Sequence, residues 1–138
     1  MNSKIFVDTA PFIYFLEKSP LYFLQVRDFL YSGYKSNSIF YTSVISKMEF
    51  SVLPLREGRD FLIENFQKFV TDTGFLISPV DHDVAVKAAQ LRSRYSFLRS
   101  MDAIQLAAAI NWGCDIFFTN DNQLQKVKEI KVVLVSDL

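Results

Sequence analysis

The sequence predicts an α/β fold in which a parallel β-sheet is covered by helices on both faces. Short, nearly continuous apolar runs alternate along the chain with longer segments of helical periodicity. Runs that are apolar on both faces are typical of buried parallel strands, and strand–helix alternation implies right-handed crossovers between them. At 138 residues we expect a single domain over residues 1–138, with enough chain to bury a substantial core.

Five apolar runs are predicted to be the strands of this sheet. Each is short, and most are rich in β-branched or aromatic residues. They cover residues 4–7, 38–42, 74–78, 115–119 and 131–135.

The intervening helices are predicted mainly from their capping residues. Ser19 followed by Pro20 indicates a helix that runs to residue 34. Ser43, Asp81 and Ser100 are predicted N-caps for helices over residues 44–53, 82–95 and 101–112.

Three further features complete the assignment. Gly113 is expected to end the helix that Ser100 begins, and Asn120 with Gln123 resembles a capping box for a short last helix. Residues 57–71 form an amphipathic pattern, and the predicted apolar face comprises Phe61, Leu62, Phe66 and Phe69.

Composition excludes several classes of protein. Fifteen basic and fifteen acidic residues cancel, which argues against nucleic-acid binding by a bulk positive field, so any such contact must be local. The single cysteine, Cys114, cannot form an intramolecular disulfide and is expected to be buried and inert. No apolar run is long enough to span a bilayer, and no signal peptide is evident, so we expect a cytoplasmic protein with no membrane partner.

Four acidic residues occupy positions where a packed core does not require a charge. Asp8 and Asp121 follow predicted strands, Asp102 lies in the first turn of a helix whose dipole favours its ionised form, and Glu49 interrupts a mostly apolar helix. Ligands of open α/β sheets bind beyond the carboxyl ends of the strands, so we expect these acids to converge there. Convergent carboxylates repel unless a cation is present, and an all-oxygen set suits Mg²⁺ or Mn²⁺ and phosphoryl chemistry.

The segments that carry these acids resemble the motifs of PIN-domain ribonucleases, in particular VapC-like toxins of toxin–antitoxin pairs. In chain order they are "FVDTAPFIYFLE", "SVISKMEF", "SMDAIQLAAAI" and "FFTNDNQL". The resemblance implies a three-layer α/β/α sandwich with five parallel strands in the order 3-2-1-4-5. It also implies that Asp8, Glu49, Asp102 and Asp121 hold Mg²⁺ or Mn²⁺, and that Thr119 orients the last carboxylate or a water.

The same resemblance implies an activity and partners. The expected reaction is hydrolysis of an RNA phosphodiester that leaves a 5′-phosphate and a 3′-hydroxyl, with tRNA or rRNA as the usual substrates and a cognate antitoxin as inhibitor. Ala10 stands where the family often has Asn or Ser, and Met101 stands where Pro is common. Neither departure removes an acid.

Other residues are candidates for binding RNA or a protein. Arg99, Lys47 and Asn120 lie near the acidic motifs in sequence and are the predicted substrate-binding residues. The segment over residues 11–34 is rich in aromatic residues. Core packing is the expected role of most of them, and an excess over what one core can bury would indicate a homodimer face or a groove for a partner helix.

Three alternative functions share some of these sequence features. A phospho-accepting receiver domain also gathers acids at strand ends, but it needs a Lys at the end of its last strand, where Val135, Ser136 and Asp137 stand here. A PIN-domain nuclease of RNA processing, and a PIN-fold protein that binds RNA or a partner without cutting it, share the same motifs.

Overall fold

The computed structural model describes residues 2–138, which contain one sheet of parallel strands in the order β3-β2-β1-β4-β5. The predicted strand order is therefore confirmed. Each strand lies within one residue of its predicted start or end, except that β3 is shorter than predicted. The strands are β1 (Lys4–Val7), β2 (Ile39–Ser43), β3 (Leu76–Ser78), β4 (Ile116–Thr119) and β5 (Lys131–Leu134).

Six α-helices and two short 3₁₀ turns connect these strands within the described residues. The helices are α1 (Thr9–Leu16), α2 (Phe23–Lys35), α3 (Val44–Arg56), α4 (Asp60–Asp72), α5 (His82–Arg94) and α6 (Ser100–Asn111). The 3₁₀ turns cover Asn122–Lys126 and Val135–Asp137.

The sheet separates two hydrophobic cores. Phe6 of β1 packs with α5 and α6, whereas Ile5 and Val7 pack on the opposite face with residues of α1 to α4. All three are 4% exposed or less, as expected of a central strand that is covered on both sides. The three-layer α/β/α architecture is thus confirmed.

Some predicted caps are confirmed and others are wrong. Ser43 accepts a hydrogen bond from Ile45 N–H, and Asp81 accepts one from Val84 N–H, so both cap their helices as predicted. Ser100 was predicted to cap α6 but is its first residue, since Arg99 has the extended backbone of the N-cap and Ala103 N–H bonds to its carbonyl.

Two other predicted helix starts are displaced. The 3₁₀ turn after β4 is capped by Asp121, whose Oδ1 accepts from Gln123 N–H at 3.0 Å, and not by Asn120. Helix α2 begins after Tyr22, later than predicted, although the Ser19 hydroxyl still accepts a hydrogen bond from Tyr22 N–H at 3.2 Å. None of the helices in residues 2–138 is both long and apolar enough to cross a membrane.

Cys114 lies at the amino-terminal edge of the sheet. It is half-buried, and the pKa of its thiol is raised to about 12. Burial is the main cause, the Asp115 carboxylate adds to the increase, and the Lys4 ammonium opposes it. Asp115 Oδ2 accepts from Lys4 N–H, which places both at the opposite end of the sheet from the carboxyl ends of the strands.

Cys114 should therefore react slowly with thiol reagents. At pH 8 only about one thiol in 10⁴ is ionised, and the thiolate is the reactive form. We expect Ellman's reagent to label the native protein at least about 100-fold more slowly than the protein unfolded in urea, where the thiol has its ordinary pKa. Equal labelling rates in the two states would contradict the burial of this side chain.

Candidate active site

The carboxyl ends of β1 and β4 form one wall of an open cleft of about 730 Å³. Because these strands are neighbours, Asp8 after β1 and Asp121 after β4 lie on the same edge of the sheet. Glu49 on α3 and Asp102 on α6 line the cleft as well. The structure therefore brings together all four acids that the sequence analysis singled out.

Asp8 is held by three hydrogen bonds. Its Oδ1 accepts from Thr9 N–H at 2.8 Å and from Gln105 Nε2 at 3.3 Å, and its Oδ2 accepts from the Thr119 hydroxyl at 2.8 Å. Burial nevertheless raises the pKa of Asp8 to about 6, because these hydrogen bonds offset only part of the cost of desolvating the charge and Asp102 adds repulsion.

Asp102 lies in the first turn of α6, close to the N-terminus of the helix. The helix dipole was expected to favour its charged form, but the pKa of Asp102 is raised, first by burial and then by the charges of Asp121 and Glu49. The position in the first turn of α6 therefore does not by itself set the pKa of Asp102, since burial and the two neighbouring carboxylates act in the opposite direction to the helix dipole. Arg99 opposes the shift.

Glu49 and Asp121 occupy the exposed rim of the cleft. Glu49 Oε1 accepts a hydrogen bond from the Thr9 hydroxyl at 2.6 Å, which links α3 to the start of α1. Asp121 caps the 3₁₀ turn that follows β4.

Thr119 connects the two strand-end acids. Its hydroxyl donates to Asp8 Oδ2, and its oxygen accepts from Asp121 N–H at 3.2 Å. The resemblance implied that Thr119 orients the last carboxylate; in the structure its hydroxyl contacts the first carboxylate and the backbone of the last.

The three predicted substrate-binding residues lie in different settings. Asn120 lines the cleft, where it donates to the Tyr14 hydroxyl at 3.2 Å and accepts from Ser136 N–H at 3.0 Å. Arg99 is exposed and close enough to Asp102 to lower the pKa of that carboxyl. Lys47 is not part of the cleft lining and donates to Gln67 at 2.9 Å.

Several polar and aromatic residues of the site were not predicted from the sequence. Gln105, on α6, is 1% exposed and contacts Asp8 directly. A lone amide among the alanines and leucine of "AIQLAAA" is the signal that could have identified it, because an uncharged polar side chain on a buried helix face needs partners. Tyr14 and Tyr22, which line the cleft, were assigned only to an aromatic-rich segment.

The donor set of the cleft fits a hard divalent cation. It offers carboxylate, hydroxyl and amide oxygens, and none of the ion pairs formed within residues 2–138 includes any of the four acids. A cation would relieve the burial and repulsion that raise the pKa values of Asp8 and Asp102. In the part of the chain that is described, no three acidic, histidine or cysteine side chains stand in a preformed metal site, so the carboxylates would have to draw closer to share one ion.

Comparison with known protein families identifies the family to which this sequence belongs. The sequence profile of the PIN domain matches residues 5–130, which include all four acids. The chain belongs to the PIN-domain family. PIN domains are nucleases.

Several solved bacterial structures share this fold. VapBC2 from Rickettsia felis, bound to a promoter DNA fragment, has a TM-score of 0.75 at 13% identity and covers 95% of this chain and 98% of its own. FitAcB from Neisseria gonorrhoeae has a TM-score of 0.75 at 21% identity, with 97% and 99% covered. VapC20 from Mycobacterium tuberculosis, a sarcin–ricin-loop-cleaving toxin, has a TM-score of 0.72 at 18% identity, with 92% and 98% covered.

At these identities the structures establish the shared fold. No curated protein matches the sequence significantly.

Proposed function

We propose that this PIN domain is a Mg²⁺- or Mn²⁺-dependent endoribonuclease and the toxin of a VapC-like toxin–antitoxin pair that acts in the cytoplasm. The observation that carries the proposal is the convergence of Asp8, Glu49, Asp102 and Asp121 in one cleft, where no basic side chain of residues 2–138 forms an ion pair with them. Buried like charges raise each other's pKa, and a divalent cation between them removes that cost.

The carboxylates of the cleft would hold the cation, with Asp8 as the most firmly oriented of them. When bound, a divalent cation lowers the pKa of water and neutralises charge on a phosphate. Thr119 and Gln105 fix the direction of the Asp8 carboxylate. Glu49 and Asp121, at the rim, can adjust to an incoming phosphodiester because their side chains are exposed.

Aromatic side chains in the same cleft support RNA as the substrate. The rings of Tyr14 and Tyr22 lie 4.8 Å apart, and the Tyr14 hydroxyl is anchored by Asn120. Unpaired RNA bases stack on aromatic rings, so an acidic centre flanked by tyrosines suits a phosphodiester in a loop or single strand of tRNA or rRNA.

The proposal includes two protein partners, an antitoxin and a second copy of the chain. Apolar side chains that are more than 40% exposed occur just before α2 (Leu21), on α2 (Leu24, Tyr31, Tyr34) and on α3 (Val44, Met48, Val52, Leu53, Leu55). Exposed apolar surfaces of this kind mark protein–protein contacts. The likeness of the fold to toxins solved with their antitoxins supports the first partner.

The decisive experiment is incubation of the purified protein with total RNA and Mg²⁺ or Mn²⁺, with EDTA as the metal-free comparison. Cleavage that requires the metal and persists in the Asp115→Asn variant, whose substitution lies at the opposite edge of the sheet, supports the proposal. Absence of cleavage with either metal would contradict it. Growth arrest on expression distinguishes a toxin from a processing nuclease, which would cut RNA without arresting growth.

Arg99 and Lys47 should differ in their effect on RNA binding. Neither residue lines the cleft, but Arg99 is close enough to Asp102 to lower the pKa of that carboxyl, so its guanidinium can reach the phosphates of a bound RNA. Lys47 instead donates a hydrogen bond to Gln67. Arg99→Ala is expected to raise KM for RNA about three- to tenfold, which corresponds to the loss of one partly exposed phosphate contact. Lys47→Ala should leave KM within about twofold of the wild type. Steady-state cleavage at two salt concentrations measures both, and equal effects of the two substitutions would contradict this placement of the RNA.

A further inference from the structure

Gln105 is a buried polar residue on a helix whose other buried residues are apolar. It lies on α6 between Ala103 and Leu106, which are completely buried, and is itself only 1% exposed. A buried amide without partners would cost several kcal/mol, so its contacts explain why it is tolerated.

Every polar atom of the Gln105 side chain has a partner. Nε2 donates to Ser46 Oγ at 2.7 Å and to Asp8 Oδ1 at 3.3 Å, and Oε1 accepts from the Ser43 hydroxyl. A flipped amide would turn Oε1 toward the Asp8 carboxylate, which repels it. Because Ser43 Oγ already accepts from Ile45 N–H, its own proton is free to go to Oε1, and the orientation of the amide is determined.

The hydrogen bonds continue from Ser46 back to the strand that carries Asp8. The Thr42 hydroxyl lies 2.8 Å from the carbonyl oxygen of Val7, to which it must donate, and 2.8 Å from Ser46 Oγ. Thr42 has only one hydroxyl proton, so Ser46 donates in the second contact. The Nε2 atom of Gln105 thus contacts Asp8 directly and is linked through Ser46 and Thr42 to the end of β1. The Oε1 atom contacts Ser43 at the end of β2.

Contacts within residues 2–138 leave one acceptor position of the Asp8 carboxylate free. Oδ1 uses both of its lone pairs, for Thr9 N–H and Gln105 Nε2, and Oδ2 uses one of its two for the Thr119 hydroxyl. The direction of that free position depends on the hydrogen bonds that hold the other three.

We propose that Gln105 is a positioning residue, whose amide fixes the orientation of Asp8 and thereby the single oxygen position that Asp8 can offer to a divalent cation. This inference rests on the proposed function, since it assigns the cation to the same cleft. Partners that orient a metal-binding carboxylate typically contribute about 10- to 100-fold in metal affinity or activity.

The test is Gln105→Leu, which removes the amide but keeps much of the side-chain volume. Titration calorimetry with Mn²⁺ alone is expected to give at least about a tenfold weaker affinity. RNA cleavage should show kcat lower by about 10- to 100-fold with KM changed by less than about threefold, because the RNA contacts are intact. The matched control is Leu106→Val, a buried neighbour on α6 that should shift the urea midpoint without changing Mn²⁺ affinity.

Two outcomes would overturn the proposal. One is a folded Gln105→Leu protein whose Mn²⁺ affinity equals that of Leu106→Val. If Gln105→Leu does not fold, Ser46→Ala is tested in its place, because that variant removes only the side chain that anchors the Gln105 amide. The second contradicting outcome is then a Ser46→Ala protein whose Mn²⁺ affinity equals that of the wild type.

Failure of the proposed function would look different. In that case the wild type neither binds Mn²⁺ nor cuts RNA, and the urea midpoints of Asp8→Asn, Gln105→Leu and the double variant still test the contact. Non-additive shifts support the orientation of Asp8 by Gln105, and additive shifts overturn it.

Discussion

Replacing Asp8 with asparagine is expected to lower RNA cleavage by at least about 100-fold and, at the same time, to stabilise the metal-free protein. The loss of activity follows from removing the negative charge at the most firmly held position of the cleft. The gain in stability follows because that charge is desolvated and lies near Asp102, and both effects disfavour it in the folded state. An asparagine can keep the hydrogen bonds from Thr9 and Gln105 without the charge.

The pKa of Asp8 determines the pH at which the stability gain develops. The folded protein holds the proton of Asp8 with a pKa of about 6, against the ordinary value of 3.8. The folded state therefore binds more protons between these values, and the wild type loses stability as the pH rises from about 4 to about 6. The difference between the two pKa values corresponds to at most about 3 kcal/mol in the free energy of unfolding, and the wild type has lost this contribution once the pH is well above 6.

The measurement is the free energy of unfolding in urea, with EDTA present, at pH 4, 5, 6 and 8. We expect the Asp8→Asn variant to be about 1 to 3 kcal/mol more stable than the wild type at pH 8 and to approach it at pH 4. Asp115→Asn is the control, because that side chain is exposed at the other edge of the sheet. A constant difference from pH 4 to pH 8 would contradict the assigned burial of Asp8, and undiminished cleavage by Asp8→Asn would contradict the site.

The fold was predictable because its signals are local and repeated. Each strand is a run that is apolar on both faces, as Ile5, Phe6 and Val7 illustrate, and this pattern requires helices on both sides of the sheet. The strand order came from the resemblance of the acidic motifs to a family. Helix starts were less predictable: Ser43 and Asp81 cap their helices, whereas Ser100 does not, and nothing local distinguishes these residues.

The acids of the site were predictable, but their environment was not. Strand ends and helix starts put Asp8, Asp102 and Asp121 on one edge, so their convergence follows from topology. The raised pKa of Asp102 depends on burial and on charges from other parts of the chain, which a local sequence pattern does not reveal. A lone amide in an apolar helix marks Gln105 as a residue that needs polar partners. The identity of those partners, which lie 59 and 97 positions away in sequence, is not encoded locally.

Helix α4 illustrates the same limit in the hydrophobic core. The sequence pattern placed Phe61 and Phe66 on one apolar face, but Phe66 is completely buried whereas Phe61 is 56% exposed. Leu62, Phe66 and Val70 lie at four-residue intervals and form the buried face. Phe61 precedes that face by one residue, about 100° around the helix, and its ring lies 5.8 Å from the Arg59 guanidinium.

Phe66→Ala is therefore expected to lower the free energy of unfolding by about 3 to 5 kcal/mol, the range for removing a fully buried aromatic side chain. The ring lies 4.7 Å from Phe12 and 5.1 Å from Phe50, so its loss opens a cavity between α1, α3 and α4 that these neighbours can fill only in part. Phe61→Ala is the matched control on the same helix. It should cost less than about 1 kcal/mol, because the lost ring is mostly exposed and gives up only a solvated contact with Arg59. Urea unfolding of the two variants measures both values, and similar losses would mean that the buried face of α4 is assigned wrongly.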